Sequence, residues 1–182
     1  MLLVLYTSAQ TTEKKKVSNA AFTFAADRYG ISDLSKTGDV HPTNYIRQGR
    51  VFGDVIIRYT HNRKLDTLKA SDQSNTTVLQ DGKTINTWSV EGQGNKALQL
   101  TQSFSLNNTA LTWDIILENK SANLVRVEDL IVPLFYNSGG GENPKEIFEE
   151  RVVKHHFISG NNSFLFFQRP TGLGPYLVMV PL

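Results

Sequence analysis

The sequence contains no cysteine, so neither a disulfide framework nor a thiolate metal site can form. It has no strong excess of one charge. The 19 Lys and Arg residues face 17 Asp and Glu, a net charge of +2, and the basic residues are scattered rather than striped. That distribution lacks the electrostatic footprint of a nucleic-acid binder. The one basic run, Lys14-Lys15-Lys16, reads as a solvated N-terminal tail. No stretch approaches the ~20 consecutive apolar residues that a membrane span needs, and there is no internal repeat, low-complexity tract or interdomain linker. Two motifs of nucleotide and acyl chemistry also fail. Gly139-Gly140-Gly141 is followed by no Lys-Ser/Thr and no long helix, so it reads as a flexible loop, and no Ser stands in a G-x-S-x-G context.

What the 182 residues do hold is a succession of strands, in a chain whose length suits one domain with a substantial core. Residues 1–19 read as the remnant of a secretory signal peptide and a polar tail, with an apolar stretch Leu2–Tyr6 and the small residues Thr7, Ser8 and Ala9. The alternative is a first strand of a cytosolic domain. From Ala20 the pattern is sheet. Ala21–Phe24 alternates with period 2, Ser32–His41 reads as loop, and Val51–Tyr59 reads as strand with Gly53 at a bulge. TTVLQ, Asp81-Gly82 and KTINTWSVE form a hairpin signal. In Ala97–Leu106, Leu98, Leu100, Gln102, Phe104 and Leu106 share one face. Asn107-Asn108 then turns the chain into a strand whose Leu111, Trp113, Ile115 and Leu117 share another. A further strand runs from Leu124 to Tyr136 with Pro133 at an edge or bulge. Asn143-Pro144-Lys145-Glu146 has the residues of a helix start, expected to open a short helix to Glu149. Strands return at Arg151–Ile158 and from Ser163 to Arg169. Short strands with almost no helix predict an antiparallel β-sandwich over residues 20–182, since a parallel sheet would need crossover helices.

The last residues, Tyr176–Leu182, form an apolar run that reads as a strand buried on both faces. A chain ending inside such a strand is expected to be incomplete at its C-terminus, with an exposed apolar patch where the missing part would pack.

Catalytic chemistry is harder to find. His155-His156 cannot chelate one ion from a strand, because adjacent residues belong to opposite faces. Paired carboxylates would serve glycoside hydrolysis, and the candidates are Asp114, Glu118, Glu128, Asp129, Glu142, Glu146, Glu149 and Glu150. Most fall at strand ends or on the short helix, where acids are ordinarily solvated or capping. Aromatic rings can stack on sugar faces while polar neighbours hold hydroxyls. Trp88, Tyr136, His155, His156 and Arg169 are therefore the candidate carbohydrate-binding residues, whereas Trp113, in phase with Leu111 and Ile115, reads as core. No catalytic residue, metal ligand or cofactor is assigned.

Four segments carry a resemblance: W-x-I-x-L-x-N at Trp113–Asn119, E-D-L-x-x-P-L at Glu128–Leu134, H-x-F-I-x-G at His155–Gly160 and R-P-x-G-x-G-P at Arg169–Pro175. In this order they resemble the N-terminal galactose-mutarotase-like domain, or supersandwich, of large secreted bacterial proteins whose second part is an α/α toroid of glycoside-hydrolase type. The resemblance covers about residues 20–182. It implies a non-catalytic sandwich that packs on a missing C-terminal helical catalytic domain and shapes its cleft, in a secreted or periplasmic carbohydrate-active protein. Its expected partners are that domain and a glycan, with no nucleic acid and no membrane span. The alternatives are a free-standing carbohydrate-binding module and an epimerase- or lyase-like sandwich enzyme. The epimerase needs a His acid and a Glu base facing one sugar ring, and neither can be assigned here.

Overall fold

The computed structural model describes residues 14–39, 43–73, 75–80, 83–89, 98–137, 143–145, 154–158, 164–172 and 177–181; at 75–77, 79–80, 84–89 and 154–158 it describes the backbone alone. The architecture is the expected all-β, antiparallel sandwich. β1 (Lys15–Ser18), β2 (Phe22–Asp27) and β3 (Gly30–Lys36) form a meander. β4 (Ile56–His61) and β5 (Lys64–Lys69) pair with β10 (Val125–Ile131) in the order β10-β4-β5. β6 (Asn75–Gln80), β7 (Lys83–Ser89), β8 (Leu98–Leu106) and β9 (Leu111–Asn119) make a four-stranded sheet, and β11 (Lys154–Ile158), β12 (Phe164–Gln168) and β13 (Leu177–Met179) a last meander.

The long hairpin β8–β9 organises the core. Period-2 alternation puts Leu98, Leu100, Gln102 and Phe104 on one face, all essentially fully buried. Leu98 and Leu100 join Val55, Ile57, Tyr59, Leu68 and Ala70 over the β10-β4-β5 sheet. Phe104, four residues on, belongs to a second cluster with Phe24, Ile31, Tyr45, Ile46, Phe52 and Phe167. Burial of each such side chain contributes about 1.5–3 kcal/mol. Trp113 packs against both clusters, its ring parallel to Phe52 and tilted on Phe104 at 5.4 Å. It is core, as its phase implies.

Turn chemistry closes the hairpins. Asn107 Oδ1 accepts from the N–H groups of Thr109 and Ala110, and Asn19 Oδ1 does the same for Ala21 and Phe22. The β6–β7 hairpin runs in the register that Asp81-Gly82 predicts, Gln80 opposite Lys83. Between β4 and β5, Asn62 and Arg63 both have positive φ, 50° and 63°, as a two-residue primed turn requires.

Several expectations are corrected. Lys15 and Lys16 are not tail but the start of β1, and Lys14 pairs with Asp33 at 3.0 Å. The region from Ser32 opens with strand, β3, rather than loop. Its bulge, where Ala25 faces Asp33 but Ala26 faces Ile31, puts Ile31 and Leu34 on the same core face at a spacing of three, which breaks the period-2 signature. Val51 and Gly53 precede β4 rather than belonging to it. Gly53 has φ 132° and its backbone lies against Gly30, φ 121°, so closely that a Cβ on Gly53 would sit 2.9 Å from Gly30 Cα. β10 stops at Ile131, before Pro133, and its bulge falls at Glu128. β13 is not buried on both faces: Val178 and Val180 are over half exposed while Leu177 and Met179 are part-buried. At the expected helix start, Pro144 and Lys145 are helical and Asn143 Oδ1 accepts the Lys145 N–H at 2.9 Å. Its continuation to Glu149 lies outside the described residues, as do residues 151–153 and Gly139–Gly141.

Candidate functional site

Of the five candidate carbohydrate-binding residues, two have described side chains, and both sit inside the domain. The Tyr136 ring packs on Phe167 at 4.0 Å and edge-on to Phe52 at 4.9 Å, and its hydroxyl donates to Met179 Sδ. Burial pushes its ionisation well above the usual phenol range. Arg169 is 2% exposed and donates to Asp39 at 2.7 Å and to Thr43 Oγ1 at 3.1 Å. The pair joins the end of β3 to the end of β12. Tyr45 lies 1% exposed beside it, its phenol pushed up to about 12, first by burial and then by the Asp39 charge, against a smaller lowering by Arg169. Trp88 stands opposite Leu100 in β7, His155 opposite Phe167 and His156 opposite Phe166. Their side chains lie outside the described residues. The two His positions fall on opposite faces of the β11–β12 pair, and no backbone pairing brings either to Trp88.

The four candidate acids that are described do not converge. Glu128 accepts from Arg126 and Thr60, which hold its carboxyl below the usual range. Asp129 pairs with Arg58 at 2.9 Å, Asp114 with Lys83 at 3.2 Å and Glu118 with Lys120 at 3.1 Å. Each is thus matched to its own surface cation. Among the described residues no three His, Asp or Glu groups are placed to hold a metal ion. Glu142, Glu146, Glu149 and Glu150 fall outside them.

A cleft does exist, at a place the sequence pattern did not mark. It has a volume of about 360 Å³ and is lined by Lys14, Asp33, Asn44, Gln48, Arg50 and Asn137 among others. Its walls are well fixed. Asn44 Oδ1 accepts the N–H groups of Leu34 and Ile46 at 3.0 Å, and its Nδ2 donates to Ser32 O and Asp33 Oδ1. Asn137 Nδ2 donates to Asn44 O, and its backbone N–H donates to Tyr45 O. The segment from Tyr45 to Arg50 is thereby latched to residues 135–137. Gly49, φ 73°, takes the left-handed position of the Arg47–Arg50 turn, closed by the Arg50 N–H donating to Arg47 O at 3.0 Å. Burial pushes the Asp33 carboxyl up, but hydrogen bonds from Lys14 and Ser32 and the Lys14 charge outweigh it and hold the group below its usual range. The only sequence signal here is a glycine between flanking arginines in Arg47-Gln48-Gly49-Arg50, too short to read as a site.

Comparison of the sequence with protein-family profiles and with curated proteins gives no match. Among solved structures, a polysaccharide lyase is similar, with a TM-score of 0.54 at 13% identity. The match covers 93% of this chain and 25% of the lyase chain, so this chain spans about a quarter of the length of that protein. At that identity the likeness concerns the fold, and it does not single out the galactose-mutarotase group. Among the described residues no helix is long and apolar enough to cross a membrane.

Proposed function

We propose that this chain is a non-catalytic β-sandwich domain of a larger secreted carbohydrate-active protein, in which it packs against a helical catalytic domain and shapes the rim of its cleft. The observation that carries the reading is the inner face of β10. Val127 stands opposite Tyr59 and Leu130 opposite Ile57, both core residues, yet Val127 is 44% and Leu130 53% exposed. Leu124, just before the strand, is 85% exposed. The core face of the sheet therefore continues past the edge of the layer that covers it, and β10 is paired on one side only among the described strands. An apolar strip with an open backbone edge is an association surface. The similarity to a quarter of a polysaccharide lyase supports a larger carbohydrate-active protein as its context. Among the described residues, the dispersed, cation-matched candidate acids support a domain that does not carry the chemistry itself.

Sedimentation velocity of the 182-residue chain tests the strip. Concentration-dependent self-association is expected, and the triple variant Leu124→Thr, Val127→Thr, Leu130→Thr, with an unchanged circular dichroism spectrum, is expected to sediment as a monomer. A wild-type chain that stays monodisperse at all concentrations would remove the strip as a docking face.

A further inference from the structure

We infer that the cleft beside Arg50 is a subsite for a carboxylate-bearing sugar residue of an acidic glycan; this deepens the carbohydrate reading above and rests on it. The Arg50 guanidinium lies over the Phe135 ring at 4.8 Å, a contact that places it while leaving its N–H groups uncommitted. It makes no hydrogen bond or ion pair with any described residue, and the exposed Gln48 amide, two residues earlier, makes none either. A planar fork of donors placed over a ring suits a carboxylate, which it can bind through two parallel hydrogen bonds.

The charge around it favours the same ligand. Lys14 and Asp33 neutralise one another at 3.0 Å, so Arg50 supplies the net positive charge among the described lining groups. The amide of Gln48 both donates and accepts, as a ring hydroxyl requires. Val51, part-buried in the lining, offers apolar surface to the carbon face of a ring. The floor does not need to form on binding, since Asn44 and Asn137 already tie β3, the Arg47–Arg50 turn and residues 135–137 together. At about 360 Å³ the cleft suits one or two sugar rings rather than a long stretch of chain.

The test is a heteronuclear NMR titration of the full chain with a glucuronate-containing tetrasaccharide, its carboxyl-reduced neutral counterpart, and inorganic sulfate. The charged tetrasaccharide should shift the Gln48, Gly49 and Arg50 amides and bind at least about tenfold more tightly than the reduced one, the worth of a bidentate charged pair. Arg50→Met should abolish that difference, and Arg50→Lys, which keeps the charge without the fork, should restore only part of it. Equal binding of both tetrasaccharides overturns the subsite while leaving the carbohydrate reading intact. Absence of binding by either overturns the subsite, while the domain role, which rests on the β10 strip, is decided separately by sedimentation. Sulfate shifting the same amides as strongly as the tetrasaccharide overturns the sugar assignment, leaving a simple anion site. The comparison of tetrasaccharides needs no variant, so it stands even if Arg50→Met fails to fold.

Discussion

The Gln102 side-chain amide donates to the Gly53 carbonyl at 2.7 Å and accepts from Trp113 Nε1 at 2.9 Å, fully buried where the two cores meet. Both halves of one amide are satisfied, one by a backbone that approaches closely because Gly53 and Gly30 lack side chains, the other by the ring that touches both clusters. Gln102→Leu leaves the Trp113 N–H without a partner, and a loss of about 2–4 kcal/mol is expected. Urea unfolding measures it. In a Trp113→Phe background, which has no N–H to orphan, the same substitution should cost distinctly less.

The Asp39–Arg169 pair makes a comparable prediction of opposite design. Asp39→Ala or Arg169→Met strands a buried charge and should cost about 3–5 kcal/mol, while the double variant Asp39→Leu, Arg169→Leu should recover most of it. Because both side chains are within 5% of full burial, the loss should be nearly independent of salt. A single variant as stable as wild type in thermal unfolding would show that the pair is not a tie.

Gly30 is a position where almost any side chain fails. Its φ of 121° is strained for L-residues, and a Cβ there would collide with the Phe52 carbonyl oxygen, which is backbone and cannot swing aside. Gly30→Ala is therefore expected to abolish the cooperative unfolding transition at ambient temperature, whereas an alanine at Gly38, whose Cβ meets nothing within 4 Å, should cost only the strain of its positive φ, about 1 kcal/mol.

Two pH effects follow from the ionisation shifts. The folded Asp33 carboxyl titrates below its unfolded value of about 3.9, so its contribution is present at neutral pH and lost as pH falls through the folded value. The stability gap between wild type and Asp33→Asn should close below about pH 4 and shrink in salt, since the Asp33–Lys14 pair is half exposed. The buried phenols behave in the other sense. Tyr45, pushed up to about 12, and Tyr136, pushed higher still, favour the folded state up to the unfolded value near 10 and lose that contribution as pH rises further. In an alkaline ultraviolet titration, both should ionise only with unfolding.

How much of this was legible in the sequence depends on whether neighbours along the chain or across it decided the structure. The β8–β9 hairpin was readable because one residue in two is apolar on a long strand, and the alternation named Leu98 to Phe104 correctly. β3 was not, because a bulge moved Leu34 into phase with Ile31, and bulges are set by the partner strand. β5, with four exposed residues in a row, carries too few buried side chains to show a pattern. The apolar C-terminal run was misjudged for a related reason: Val178 and Val180 fit a strand on either face, and only packing says which face is wet. At the candidate site, Tyr136 and Arg169 have the chemistry of a sugar site, but their partners Phe167 and Asp39 are 31 and 130 residues away in sequence. Arg50 was passed over because its significance comes from Phe135, a residue far away in sequence.

In the proposed role, this sandwich works as one domain of a larger secreted carbohydrate-active protein. The most direct measurement is an immunoblot of the host's secreted and cellular fractions with antiserum raised against this chain. The account predicts a secreted product well above 20.4 kDa, from which tryptic peptides of both this sandwich and a helical domain are recovered by mass spectrometry. A single product of 20.4 kDa, or one confined to the cell interior, would contradict it.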